Sequence, residues 1–320
     1  MLDLTFLTKE DVFGNRYFCN KLDIIKKCGT KCVATDFARL LGQDHYLIDG
    51  KSMGSWWTQT AKNGDQYNYS VNIVDGNGTI YWIDTYYRYV GGRPSFDYSL
   101  LKEPVIEIKE ENDIKEIIYG EYPQWVVDEN YSSKLESKYK SGILKETGKK
   151  YTTDSVVIIN DEELFAGLKV EGDIIFQPRK HIEYEDNGIR YIRIEGSKKF
   201  ENTLLSDGRH LKANEPYWIK VEPIVWLVHE KECIALSKYI LFSGVMFRQA
   251  IGYNNNFKNT DIKQFMDEYL SKEIECRVYN EKLIENKQVD IDSIFEDVIN
   301  KMNEINEIEE PKTKILKQEW

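Results

Sequence analysis

"YSVNIVDGNGTIYWI", residues 69–83, sets two runs rich in β-branched and aromatic residues on either side of Asp75-Gly76-Asn77-Gly78. This is a strong β-hairpin signal. Asp-Gly and Asn-Gly supply the backbone of a tight turn, and the flanking runs suit a pleated, half-buried surface. Alternation places Tyr69, Val71 and Ile73 on one face and Ser70, Asn72 and Val74 on the other. A further short strand is expected near Tyr86–Val90. It leads into Gly91-Gly92-Arg93-Pro94, where two glycines allow a bend or a close backbone approach.

The hairpin lies in an unusual block. Six of the chain's 21 tyrosines fall between Asn63 and Tyr89, so the stretch is loaded with side chains that make contacts. Read as plain structure, it is a β-rich core hairpin, and such a hairpin favours Val, Ile, Leu and Phe. Here Tyr and Trp alternate with Asn, Asp and Ser instead. Tyr and Trp give large contact area at low entropic cost, while the short polar side chains adapt their hydrogen bonds, as in binding loops. The candidate ligand-binding residues are therefore Tyr67, Tyr69, Asn72, Tyr81, Trp82, Asp84, Tyr86, Tyr87 and Tyr89.

Working outward, "LTFLTKEDVF" (4–13) reads as a short strand and a helix start, with Thr8 and Asp11 spaced for an N-cap. "TKCVATDFARLLG" (30–42) reads as a helix with Val33, Phe37, Leu40 and Leu41 on one stripe and Gly42 as its stop. "PVIEIKE" near 104–110 alternates as a strand or connector. A helix is expected over Asn130–Ser141, with Tyr131, Leu135 and Tyr139 at helical spacing. "DSVVII", "IRYIRIEG", "YWIKVEPIVWLVHE" and "CIALSKYILF" read as strands, and "KNTDIKQFMDEYL" as helical. In the acidic 281–320 tail, Phe295, Val298, Ile299, Met302 and Ile305 form one stripe. That stripe fits intramolecular core or a partner-binding helix.

A net charge of −11 argues against a broad nucleic-acid footprint, which needs clustered Lys and Arg. It leaves room for a basic protein partner. No apolar run reaches a membrane span and the N-terminus has no signal-peptide pattern, so a cytoplasmic protein is expected. Cys19, Cys28, Cys32, Cys233 and Cys276 are odd in number and show no framework, which predicts free thiols. Cys28 and Cys32 lack the second pair that a structural zinc site needs. His45, His181, His210 and His229 sit in no nucleophile or metal motif, and no phosphate-binding loop is present. No enzyme activity, cofactor or metal is expected.

Gly54-Ser55-Trp56-Trp57-Thr58, followed by Val90-Gly91-Gly92-Arg93-Pro94, resembles a bacterial and phage family of uncharacterised proteins. That family is similar to the C-type-lectin-like fold of the formylglycine-generating enzymes. Its pattern opens on "GWWWTR/LRS" and closes on "GVRPAL", where this chain has "GGRPSF". "FLTKEDVFG", "GTKCVATDFARLLG", "YGEYPQ", "VEPIVWLVHEKECIALSKYILFSGVMF" and "NTDIKQFMDEYL" fit the same family, so the likeness covers most of residues 1–275. The half that usually comes first stands second here, which implies a permuted or duplicated arrangement.

Some members of this group look like target proteins of diversity-generating retroelements, in which adenine-directed rewriting spreads Tyr, Asn, Asp and Ser over a lectin-type surface. The resemblance then makes Trp56, Trp57, Gly92, Arg93 and Pro94 the scaffold and the tyrosine-rich block a variable surface. Such segments usually lie at the C-terminus, and this one does not. Only Cys276 follows Cys233, so the active-site cysteines of the enzymatic branch have no counterpart. Gln177-Pro178-Arg179 stands in place of a calcium-lectin motif, with no Trp-Asn-Asp.

The expected fold is α+β: C-type-lectin-like mixed units with small twisted antiparallel sheets, flanking helices and a C-terminal helix. The expected organisation is a lectin-like unit at 1–104, a second β-rich unit at 105–280 and an acidic helical tail at 281–320. The expected function is non-enzymatic binding of a protein or other macromolecular ligand through a displayed surface of the retroelement-diversified kind. The alternative is a phage or mobile-element protein that binds and inhibits a host defence component.

Overall fold

The computed structural model describes residues 2–14, 21–48, 51–61, 70–85, 87–101, 105–153, 158–159, 162–163, 179–197, 202–247 and 256–274. Strands in chain order are β1 (Tyr46–Ile48), β2 (Lys51–Met53), β3 (Trp56–Ala61), β4 (Ser70–Val74), β5 (Ile80–Asp84), β6 (Ser95–Asp97), β7 (Ile106–Glu111), β8 (Ile114–Val126), β9 (Lys145–Thr153), β10 (Ile158–Ile159), β11 (Glu162–Glu163), β12 (Arg179–Asp186), β13 (Ile189–Glu195), β14 (Pro216–His229) and β15 (Ile234–Ser237). Helices are α1 (Lys9–Phe13), α2 (Asp23–Cys28), α3 (Asp36–Leu40), α4 (Glu129–Lys140), α5 (Asp261–Phe265) and α6 (Ser271–Glu273), with a π turn at Met266–Leu270. The fold is mixed α and β, rich in antiparallel sheet. No helix among the described residues is long and apolar enough to cross a membrane.

The small antiparallel sheets expected are present, of two, two and three strands among the described residues, beside a main sheet of eight in which β14 is paired along both edges. One edge runs against β8 from Ile219↔Val126 to Val228↔Lys115. The other is shared: its first part pairs β13, its last part β15. Beyond these lie β12 and β9 on one side and β6 on the other, with β7 outside β8. Both faces of β14 are covered, so it reads as a near-continuous apolar run.

Pro123 and Pro223 sit inside these long strands, where a missing N–H normally breaks a ladder. Here the register shifts between Lys220/Val221 and between Pro223/Val225. Gly120, at φ 71°, lies in the second bulge. The Gln124 amide donates to the carbonyls of Glu222 (3.0 Å) and Pro223 (2.8 Å), replacing ladder bonds the bulge removes. The bulge also switches parity: Ile219 and Val221, then Ile224, Trp226 and Val228, all face the main core.

That core runs from Leu4 and Phe6 through Trp57, Ile73 and Trp226 to Leu270 and Ile274. The division expected at residue 104 therefore does not separate two cores. β6 pairs β15, Thr5 bridges Ser95, Ala34 bridges Ile240, and Gly92 bridges Phe242. The acidic tail expected to be helical, 281–320, lies outside the described residues.

Local signals explain the short elements. Thr8 and Asp11 form a reciprocal capping box on α1. The helix expected from residue 30 begins only at Asp36. Val33 and Ala34 are spent on bridges to Met53 and Ile240, and Thr35 caps the helix by accepting from Ala38 N. Near Tyr86–Val90 no strand forms among the described residues; the chain bends, and Gly91 and Gly92 make isolated bridges to Trp56 and Phe242. A Cβ on Gly92 would stand 2.1 Å from the Phe242 ring, so only glycine fits. α4 is capped by Asp128, which accepts from Tyr131 N (2.9 Å), and packs Leu135 on Tyr184, Tyr191 and Trp218.

Two buried titrating groups flank the end of β9. Glu273 accepts from Thr152 N (2.8 Å), and burial pushes its carboxyl up to about 7. Thr153 Oγ1 lies 3.0 Å from His181 Nε2, and burial pulls that imidazole down to about 4. The raised carboxyl gives stability that is complete below its unfolded pKa and lost as pH rises through 7. The depressed imidazole gives stability that is complete above its unfolded pKa and lost as pH falls toward 4. Their slopes oppose between about pH 4.5 and 6.5. Glu273→Gln is expected to remove one of them, so its stability relative to wild type falls by about 2–3 kcal/mol on acidification across that window. His181→Gln should move the other way. Urea melts at several pH values check this, and curves parallel to wild type would refute it.

Candidate binding surface

β3, β4 and β5 form a separate antiparallel sheet with β4 in the middle. Trp56 pairs Val74 and Trp57 pairs Ile73; on the other side Asn72 pairs Trp82 and Ile73 pairs Tyr81. The β4–β5 turn is closed by Asp75, whose carboxylate accepts from Thr79 N (2.8 Å) and Thr79 Oγ1 (3.0 Å). Thr30 Oγ1 anchors it by donating to Gly78 O (2.7 Å).

The scaffold residues are buried. The Trp56 indole donates to Thr30 O (3.0 Å), Trp57 packs 5.4 Å from the Phe247 ring, and Arg93 Nε donates to Ser237 O (3.0 Å). Pro94 is buried and its carbonyl accepts from Ser237 N.

The candidate binding residues divide. Tyr81 and Trp82 are 56% and 45% exposed, with rings stacked at 6.0 Å and nearly parallel. Asp84 and Tyr87 are half-buried. Asn72 and Tyr89 are buried, which takes them off the surface. β4 is covered on both faces, so the alternation that sends Asn72 outward fails; its amide instead donates to Thr60 O (3.0 Å). Tyr89 lies under Tyr87, ring centroids 5.1 Å apart, where the chain turns back to the core. Tyr67, Tyr69 and Tyr86 lie outside the described residues.

The structure adds Tyr46, Leu47 and Ile80, which are also exposed. Tyr46 lies across the β4–β5 turn so closely that a Cβ on Gly76 would stand 2.1 Å from its ring. "YLIDGKSM" (46–53) carries its own signal, an Asp-Gly between two short runs. Asp44 accepts from Gln43 Nε2 (2.6 Å) and Ser55 N (2.9 Å), and burial raises its pKa. Burial and then Asp44 push the Tyr46 and Tyr87 phenols up, so both stay neutral donors at physiological pH.

Five of the eight large apolar side chains exposed among the described residues are Tyr46, Leu47, Ile80, Tyr81 and Trp82. All five lie on β1 or β5; Tyr46 lies against the β4–β5 turn, near enough to Asp44 and Asp75 for both carboxylates to raise its phenol. Such a surface buries contact area and offers phenol and indole donors. No group of three or more His, Cys, Asp or Glu among the described residues could hold a metal ion. Cys28, Cys32 and Cys233 are free thiols. Compared with protein-family models, with curated proteins and with solved structures, the chain matches none.

Proposed function

We propose that this chain is a non-enzymatic binding protein whose contact surface is the Tyr46–Leu47–Ile80–Tyr81–Trp82 patch, with Tyr87 and Asp84 at its edge, on a C-type-lectin-like scaffold. The observation that carries this is the stacked, exposed Tyr81–Trp82 pair on a sheet pinned from below by buried Trp56 and Trp57. Rigid aromatic anchors bury area with little loss of freedom, and contiguous exposed apolar groups of this kind mark interaction sites. The ligand is a macromolecule, because the contact residues are spread over two hairpins, β1–β2 and β4–β5. If the surface is one sampled variant of a diversified set, substitution falls on Tyr81, Trp82 and Tyr87 and spares Asn72 and Tyr89, which the core fixes.

The test is differential capture. Wild type, Tyr81→Ala/Trp82→Ala and the distant control Ile143→Ala are each used as bait, and any captured partner is titrated against all three. Exposed substitutions shift stability by under about 0.5 kcal/mol each, so melts should nearly coincide. A partner held by wild type and control, and weakened about thirtyfold or more by the double variant, supports the reading. Equal affinity for all three overturns it.

A further inference from the structure

α2 ends at Cys28, on the wall of a cavity of about 240 Å³ that Lys27, Glu111, Ile114, Glu116 and Leu227 also line. Behind Cys28 lies Arg93, 2% exposed. Its Nη2 is 4.0 Å from Cys28 Sγ, its Nε donates to Ser237 O, and its guanidinium stacks 5.2 Å from the Trp56 ring. Nη1 has no hydrogen-bond partner, and Arg93 makes no ion pair among the described residues. A buried cation with an orphaned donor and no counter-ion is a costly arrangement. Of the two thiols near it, Cys28 lines the cavity and Cys32 is buried.

The other described thiols contrast with this one. Cys32 is 3% exposed, and burial raises its pKa to about 11 against the opposing pull of Arg93. Cys233 is exposed, with its sulfur 3.5 Å from the Glu230 carbonyl and no cation in contact.

We propose that Cys28 is an oxidative modification site, where a hydroperoxide converts the thiol to a sulfinate that serves as the counter-ion Arg93 lacks. In the first step sulfur attacks one peroxide oxygen. An S–O bond forms as the O–O bond breaks, sulfur gives up two electrons, and the thiol proton leaves with the alcohol or water product. A second hydroperoxide repeats the two-electron transfer, and the sulfinic acid releases its proton to solvent. The guanidinium favours the first attack by stabilising the negative charge that develops on the departing peroxide oxygen. It then holds the product through charge-assisted hydrogen bonds: Nη2 already lies 4.0 Å from the sulfur, and Nη1 has no other acceptor among the described residues. The end of α2 and the carboxylates of Glu111 and Glu116 oppose an anion here. Glu116 is already bonded to Lys238 Nζ (2.9 and 3.0 Å), and Lys27 stands on the same wall.

Two measurements on the full chain decide it. The protein is treated with hydrogen peroxide, folded or in urea, and thiol oxidation is mapped by peptide mass spectrometry. Cys28 should gain two oxygens several-fold faster in the folded protein than in urea, while Cys32 is protected by folding. Separately, Cys28→Asp places a carboxylate where the sulfinate would stand, and Cys28→Asn places its neutral isostere. The Asp variant should melt about 2–4 °C above the Asn variant. Oxidation of Cys28 no faster in the folded state, or an Asp variant melting at or below the Asn variant, would each overturn the proposal.

Discussion

Asp36→Ala is expected to lose about 3–5 kcal/mol, the cost of removing one partner from a buried ion pair. Asp36 is fully buried at the start of α3. One carboxylate oxygen accepts from Arg39 Nη1 (2.8 Å) and Ser206 N (2.9 Å); the other accepts from Val126 N (3.0 Å) and the Ser206 hydroxyl. The single side chain thus ties α3 to the end of β8 and to the loop before β14. Without it, Arg39, itself only 4% exposed, keeps the carbonyls of Leu204 and Ser52 but no counter-ion, and two backbone amides are orphaned. Asp36→Asn keeps an acceptor and should fall between. Urea unfolding at fixed pH measures both, and a loss under about 1 kcal/mol for the alanine variant would show that the hub contributes little.

Trp57→Ala should cost a similar amount, about 3–5 kcal/mol, as large-to-small core substitutions do. Trp57 is fully buried, pairs Ile73 in the sheet beneath the aromatic patch, and packs on Phe247. Its loss opens a cavity between the β3–β5 sheet and the main core. The indole N–H is buried with no hydrogen-bond partner among the described residues. Trp57→Phe removes that orphaned donor along with some volume, so it should cost much less than the alanine change. A phenylalanine variant as unstable as the alanine one would mean that the indole N–H makes a contact after all.

What the sequence disclosed was local. The Asp75–Gly78 turn, the Thr8 capping box and the helix expected over Asn130–Ser141 each depend on residues a few positions apart, and each is present, the helix at Glu129–Lys140. The alternation in "PYWIKVEPIVWLVH" announces a strand but not that it carries partners on both edges, because one edge pairs β8, from Ile219↔Val126 to Val228↔Lys115, far away in the sequence. The bulges at Gly120 and Gln124 change which parity faces inward, which no simple period reveals. At the candidate surface, Tyr81 and Trp82 were legible because they lie on the outer strand of their sheet. Asn72 and Tyr89 misled because burial of a central strand on both faces, and of a loop under Tyr87, is a tertiary fact. Tyr46 and Leu47 went unnoticed because their three-residue strands contribute little periodicity.

The shared edge of β14 has a consequence for synthesis on the ribosome. β6, at 95–97, cannot pair until β15, at 234–237, exists, and Gly92 waits for Phe242. At about 5–20 residues per second, the 140 residues from Asp97 to Ser237 take roughly 7–28 s to make. Throughout that interval the nascent chain carries Trp56, Trp57, Val71 and Ile73 with part of their final core, Phe247 beside Trp57 and Ile240 near Trp56, not yet translated. Elongation arrested near residue 200 should therefore leave these side chains open to chaperones and proteases, and release should hide them in a single late step.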